Sequence, residues 1–193
     1  MIVLSLFDYT TTMVKPWADA GYDCICVDIQ HANGEARQGN ITKVGADILE
    51  WLPPLTIYKA VFAFPPCTHL AVSGARWFTG KGLGKLSDSI KLFYRAAQIC
   101  EWAKAPYFIE NPVSTISSYW RKPDYTFNPC DYGEPYTKKT CLWTGGGFSM
   151  PPMTPVEPTE GSKMHLVPPT DNRANIRSKT PEGFAKAVFN HLK

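Results

Sequence analysis

Residues 61–74 read VFAFPPCTHLAVSG. A β-rich run is stopped by Pro65 and Pro66, which cannot donate to a strand ladder, and Cys67 follows at once. A thiol placed there is a small buried hydrophobe, a metal ligand or a nucleophile. The six cysteines are Cys24, Cys26, Cys67, Cys100, Cys130 and Cys141, and none form a C-x-x-C pair, so the spacing argues against a zinc site. Further on, FIENP presents Glu110 beside Phe108 and Ile109. A carboxyl in apolar surroundings keeps its proton to higher pH and can act as an acid toward a bound group. Two more carboxylates, Asp28 in CVDIQH and Asp47 in ADILEW, also close apolar segments. On its own, each of these could be an ordinary strand end or cap.

The elements that must position these groups follow from hydrophobic patterning. MIVLSLF, DCICVDI, YKAVFAF and PYFIENP read as buried strands, and GADILEWLPP as a short segment offering Asp47. VKPWADAGY is helix-like. SDSIKLFYRAAQICEWAKA has Ile90, Phe93, Ala97, Cys100 and Trp102 at helical spacing, with Ser87 or Asp88 as its cap. Cys24 and Cys26 alternate along a strand and so share a face. TPEGFAKAVFNHL closes the chain as a helix with Thr180 as cap, Pro181 at its first position, and Phe184, Val188 and Leu192 on one face. Alternating strands and helices predict a parallel α/β sheet. In such sheets ligands bind outside the carboxyl ends of the strands, where Asp28, Asp47, Cys67 and Glu110 all fall.

From Tyr119 the composition shifts to Pro, Gly and aromatics, with some strand signal in KKTCLW. The chain is therefore read as one domain: a core over 1–118, a loop-rich substrate-side layer over 119–176, and a closing helix over 177–193. ARWFTGKGLGKLSD, residues 75–88, is rich in glycine and lysine and reads as a mobile loop over the site or as a flexible surface connection.

The 193 residues are 44% hydrophobic and 19% charged, a globular composition. A net charge of +3 permits a polyanionic partner without requiring one. No apolar run is long enough to span a membrane. The N-terminus lacks a basic start and reads as a strand rather than a signal peptide. A cytoplasmic location, with reduced thiols, is expected.

In their order along the chain, LSLFDYTTT, CVDIQH, ADILEW, FPPCTHLAVSG, FIENP and KKTCLW resemble the motifs of the carbon-5 cytosine-specific DNA methyltransferase family. SKMHLVPPTDNRANIRSKTPEGFAKAVF is similar to the C-terminal part of its small, phage-type members. The ordered Pro-Cys and Glu-Asn pair is the specific part. The resemblance implies a Rossmann-like S-adenosylmethionine-dependent methyltransferase fold with a loop-rich C-terminal layer. It implies Cys67 as nucleophile at cytosine carbon 6, and Glu110 as the carboxyl bonding ring nitrogen 3 and the exocyclic amine. The cofactor contacts it implies are Phe7, Asp8, Thr10, Thr11, Asp28, Ile29, Asp47, Ile48 and Pro65, with Asp28 on the ribose hydroxyls and Asp47 on the adenine amino group. The implied substrate contacts are Pro66, Ser73, Asn111, Lys138, Lys139 and Thr140. No metal and no membrane is implied, and the location becomes the host cytoplasm for a phage-encoded chain.

Two features depart from the family. FDYTTT lacks the glycines usual in such a cofactor loop. Only residues 144–179 separate KKTCLW from TPEGFAKAV, too few for a large target-recognition domain. The favoured partner is DNA, duplex or single-stranded, with a target in a duplex flipped out of the stack. A free cytosine nucleotide as substrate, and a catalytically inactive nucleic-acid-binding relative, are the alternatives.

Overall fold

The computed structural model describes residues 1–193, the side chain of His165 excepted. Eight strands form one sheet: β1 (Ile2–Leu6), β2 (Asp23–Val27), β3 (Gly34–Gln38), β4 (Ile41–Gly45), β5 (Tyr58–Ala63), β6 (Tyr107–Pro112), β7 (Tyr125–Phe127) and β8 (Thr140–Gly145). Their order is β3-β4-β2-β1-β5-β6-β8-β7. β4, β2, β1, β5 and β6 are parallel, whereas β3, at one edge, and β8 run against their neighbours. The order reverses at β1, which pairs with β2 on one side and β5 on the other. This is the expected Rossmann-like arrangement, with its ligand crevice at the carboxyl ends beside that reversal.

Side-chain alternation divides the interior into two layers. Leu4, Leu6, Val61, Ala63 and Ile109 face helix α2 (Phe78–Trp102), which covers them with Phe93, Ala96, Ile99 and Cys100. Val3, Cys24, Cys26, Phe62 and Phe108 face the other way, onto Trp17 of α1 (Lys15–Asp19) and Phe184, Ala185 and Val188 of the C-terminal helix. Short helices α3 (Ile116–Tyr119) and α4 (Arg173–Ser178) precede that last helix, α5 (Glu182–Leu192). β7 and β8 lie within the segment read as loop-rich, and both join the sheet. No helix among the described residues is long and apolar enough to cross a membrane.

Three local expectations are corrected. Residues 75–88 are helical rather than an irregular loop: a 3-10 helix (Val72–Trp77) leads directly into α2. Leu86 and Ile90 extend the apolar face of α2 toward its start and pack on the core, and that burial outweighs a helix-interior glycine cost of about 1 kcal/mol each. The helix breaks only at Gly82, whose φ of 75° suits glycine. Ser87 and Asp88 accordingly lie inside the helix and cap nothing. At the chain end, Pro181 rather than Thr180 takes the cap position, with no side-chain capping bond, and the helix begins at Glu182.

Candidate active site

The parallel register delivers the candidate residues to one edge. Asp8 follows β1, Asp28 follows β2, Asp47 follows β4 and Cys67 follows β5, while Glu110 and Asn111 end β6. β8 starts at this same edge because Thr140 pairs with Pro112, so Lys138 and Lys139 arrive there too.

Pro65 and Pro66 end β5, and Cys67 opens a turn in which its carbonyl accepts from the N–H groups of Leu70 and Ala71, both at 2.9 Å. Asn111 is 1% exposed and reaches across from β6, its Nδ2 donating to the Pro65 carbonyl at 2.9 Å. Asn111 Oδ1 is buried with no partner among the described residues. The amide is therefore spent on holding the Cys67 turn, at the cost of an unpaired oxygen. Behind the turn, Val72 donates to the Val113 carbonyl and Thr115 to that of Leu70, which ties the segments after β5 and β6 together.

Cys67 is half-buried. Burial pushes its thiol pKa up and the Glu110 charge adds to this, while Lys138 and, more weakly, Arg177 pull it back. The Glu110 carboxyl is also raised, by burial, with Lys138 opposing. Glu110 Oε1 is buried without a partner among the described residues. The two groups repel each other only when both are ionised. The pair thus favours one negative charge, and a protonated Glu110 eases formation of the thiolate.

Glu110 lies on the Phe108 side of the sheet, against the start of α5. A small cavity there, about 10 Å³, is walled by Phe64, Lys138, Thr140, Ser178 and Thr180. That is room for about one water, so a pyrimidine enters only if the segment bearing Ser178 and Thr180 shifts. Below it Phe127 and Phe184 stack with centroids 4.2 Å apart. By strand alternation Lys138 shares the Glu110 face, whereas Lys139 is exposed and lies on the other side. Thr140 spends its hydroxyl on the Lys138 carbonyl at 2.8 Å. Pro66 is exposed beside Cys67, and Ser73 is exposed in the 3-10 helix.

On the other side of the reversal, the loop after β1 is built without glycine. Phe7 and Thr11 both take φ of 58°, the left-handed conformation glycine would supply, at about 1–2 kcal/mol for each L-residue. Asp8 holds that shape: it is buried and accepts from Ser5 Oγ at 2.8 Å, Thr11 N–H at 2.7 Å and Thr10 Oγ1 at 3.3 Å. Burial raises the Asp8 pKa and the three donors oppose it. Its carboxylate is thus occupied inside the loop.

Asp28 is buried, and its Oδ1 accepts from Gln30 N–H at 2.8 Å. Its Oδ2 accepts no hydrogen bond among the described residues. Ile29, next to it, is 73% exposed, an apolar side chain held in solvent beside a buried carboxylate. That combination fits a ligand with vicinal hydroxyls next to an apolar ring, as a nucleoside has. Asp47 is exposed and accepts from Leu49 N–H at 2.9 Å. Ile48 is packed into the α2-side core, and Arg95 donates to its carbonyl at 3.1 Å, so its side chain serves the core. Pro65 is buried.

Sequence reasoning placed a loop-rich layer over the substrate side but did not name the residues that roof the site. Asn175 of α4 donates to Gln30 Oε1 at 3.0 Å, so α4 reaches the loop after β2. Its far end brings Arg177 toward Cys67, and Ser178 and Thr180 over Glu110. Residues 166–180 have no apolar periodicity that would have announced this. Among the described residues, no group of three or more His, Cys, Asp or Glu could hold a metal ion, and all six cysteines are free.

No protein-family model matches the chain, and no curated protein matches it. Among solved structures it is similar to a prophage-encoded E. coli protein described as a DNA modification methyltransferase, at 17% identity and a TM-score of 0.48. That similarity covers 75% of this chain and 46% of the other. It is also similar to the CcbJ methyltransferase from Streptomyces caelestis, at 16% identity and a TM-score of 0.34, over 68% of this chain and 45% of the other. The chain thus matches less than half the length of either.

Proposed function

We propose that this chain is an S-adenosylmethionine-dependent methyltransferase that modifies carbon 5 of cytosine in DNA through a covalent adduct on Cys67. The observation that carries the reading is the Cys67 turn, clamped by Asn111, standing on the strand next to Glu110, with the two groups close enough to couple electrostatically.

Cys67 thiolate adds to carbon 6 of the ring, forming the S–C6 bond and pushing electrons toward ring nitrogen 3. Glu110, whose carboxyl burial shifts toward the protonated form, donates to that nitrogen and stabilises the developing charge. Carbon 5 becomes nucleophilic as a result. S-Adenosylmethionine, held by Asp28, Ile29 and the backbone of the loop after β1, would supply an electrophilic methyl carbon. Carbon 5 would take that methyl as the sulfur–methyl bond breaks and the demethylated thioether leaves. Loss of the carbon 5 proton to a base then re-forms the C5–C6 double bond and drives out the Cys67 thiolate, and the proton at nitrogen 3 returns to Glu110. Lys138 and Arg177 favour the thiolate at the start and the end of this sequence.

The test is transfer of labelled methyl to duplex DNA, single-stranded DNA and deoxycytidine nucleotides, side by side. Transfer to cytosine in a polynucleotide is expected. Transfer confined to mononucleotides would replace DNA with a free nucleotide as substrate. No transfer to any of them, despite cofactor binding, would sink the catalytic reading.

A further inference from the structure

A second cavity, of about 270 Å³, opens beside the nucleophile turn, separate from the one at Glu110. His69, just beyond Cys67, forms one wall, and Phe78, Lys81, Leu83, Thr115 and Tyr119 form the others. Lys81 Nζ donates to the Thr68 carbonyl at 2.6 Å, which ties the start of α2 to the turn. His69 Nδ1 and Thr115 Oγ1 are both buried with no hydrogen-bond partner among the described residues. Buried polar atoms left unpaired are costly, and two of the residues that line this cavity carry one each.

Aromatic and basic side chains cluster around the start of α2. Tyr119, which lines the cavity, is 60% exposed, and Trp77, the neighbour in sequence of the lining residue Phe78, is 59% exposed, with the Arg76 guanidinium 5.0 Å from the Trp77 ring centroid. Lys81 and Lys85 add positive charge close to His69. Exposed aromatic faces interleaved with basic side chains suit stacked bases and a phosphate backbone. A planar heterocycle in this cavity would lie among Phe78, Tyr119, His69 and Thr115.

We propose that this cavity takes an unstacked base neighbouring the target cytosine on the same strand. It would let the site itself read the base beside its target. The inference rests on the reading that places a cytosine at Cys67.

The test uses fluorescence anisotropy on single-stranded oligonucleotides carrying one cytosine, with an abasic site moved through the flanking positions. One position should stand out, its abasic form binding roughly tenfold more weakly, within the range for loss of one stacked base. Tyr119→Ala, at an exposed position that cannot disturb the core, should weaken binding of the intact oligonucleotide. It should not weaken further the one already abasic at that position. His69→Ala should behave alike. Equal binding of every abasic form, equal weakening of both oligonucleotides by Tyr119→Ala, or no oligonucleotide binding at all would overturn the proposal. Methyl transfer measured on the same oligonucleotides separates the two readings. Transfer without a preferred flanking position defeats the pocket alone, and a preferred position without transfer defeats the methyltransferase reading alone.

Discussion

Replacing Asn111 by alanine removes a side-chain bond that ties the Cys67 turn to the neighbouring strand. The Nδ2–Pro65 carbonyl bond is buried and 2.9 Å long. Without it the Pro65 carbonyl stays buried and unpaired, at about 1–3 kcal/mol. The substitution also removes Oδ1, which is already unpartnered. That recovers part of the loss, so a net destabilisation of about 1–2 kcal/mol follows. Urea unfolding of Asn111→Ala should show it as a lower midpoint with an unchanged slope. The functional effect should be larger than the stability effect, because a small displacement of Cys67 spoils its approach to the ring. Single-turnover methyl transfer should fall by at least tenfold while cofactor affinity and KM for the substrate stay near wild type. Normal turnover in a destabilised Asn111→Ala protein would show that the bond serves the fold and not the nucleophile. An unchanged midpoint would show that the carbonyl finds another partner.

Asp28→Ala should weaken S-adenosylmethionine binding by about 1.5–3 kcal/mol, tenfold or more, and calorimetry with unchanged affinity would place Asp28 outside the site. Glu110→Gln should lose transfer yet gain stability at neutral pH. The Glu110 pKa is raised in the folded state, so wild-type stability is lost as pH rises from the ordinary carboxylate value of 4.5 through the raised one. The glutamine variant escapes that loss, and the difference in thermal midpoint should vanish below pH 4.5; a midpoint gap independent of pH would refute the assignment. Gly183→Ala should destabilise by about 1–3 kcal/mol through overpacking. A Cβ there would clash with the Tyr132 carbonyl oxygen, where α5 packs against the 3-10 helix Pro129–Tyr132. A urea midpoint equal to wild type would show that the two segments can separate freely.

The parallel core was legible because β1, β2, β5 and β6 are apolar runs bounded by turn residues, and a parallel sheet buried on both faces needs such runs. Asp28, Cys67 and Glu110 were legible for the same reason, as the first polar groups at strand ends. β3 was not. All five of its residues are exposed, so no burial pattern marks it, and only its pairing with β4 defines it. Residues 75–88 misled because glycine content was weighed above the apolar spacing that extends α2. The glycine-free loop after β1 shows the opposite case. Its left-handed positions are held by Asp8 and its three donors, a tertiary arrangement that composition does not reveal. Arg177, Ser178 and Thr180 reach the site only through chain folding back over the sheet edge.

The central claim is that Cys67 forms a bond to the cytosine ring before methyl transfer. A cytosine analogue with fluorine at carbon 5 tests it directly, because methylation then leaves no proton to remove and the thiolate cannot depart. After incubation of the protein with an oligonucleotide bearing that analogue and with cofactor, mass spectrometry of the intact protein and its peptides should find a covalent adduct on Cys67. Cys67→Ser, whose hydroxyl is not ionised at neutral pH, should fold, bind cofactor and form none. An adduct on another cysteine, or turnover by Cys67→Ser near the wild-type rate, would contradict the account.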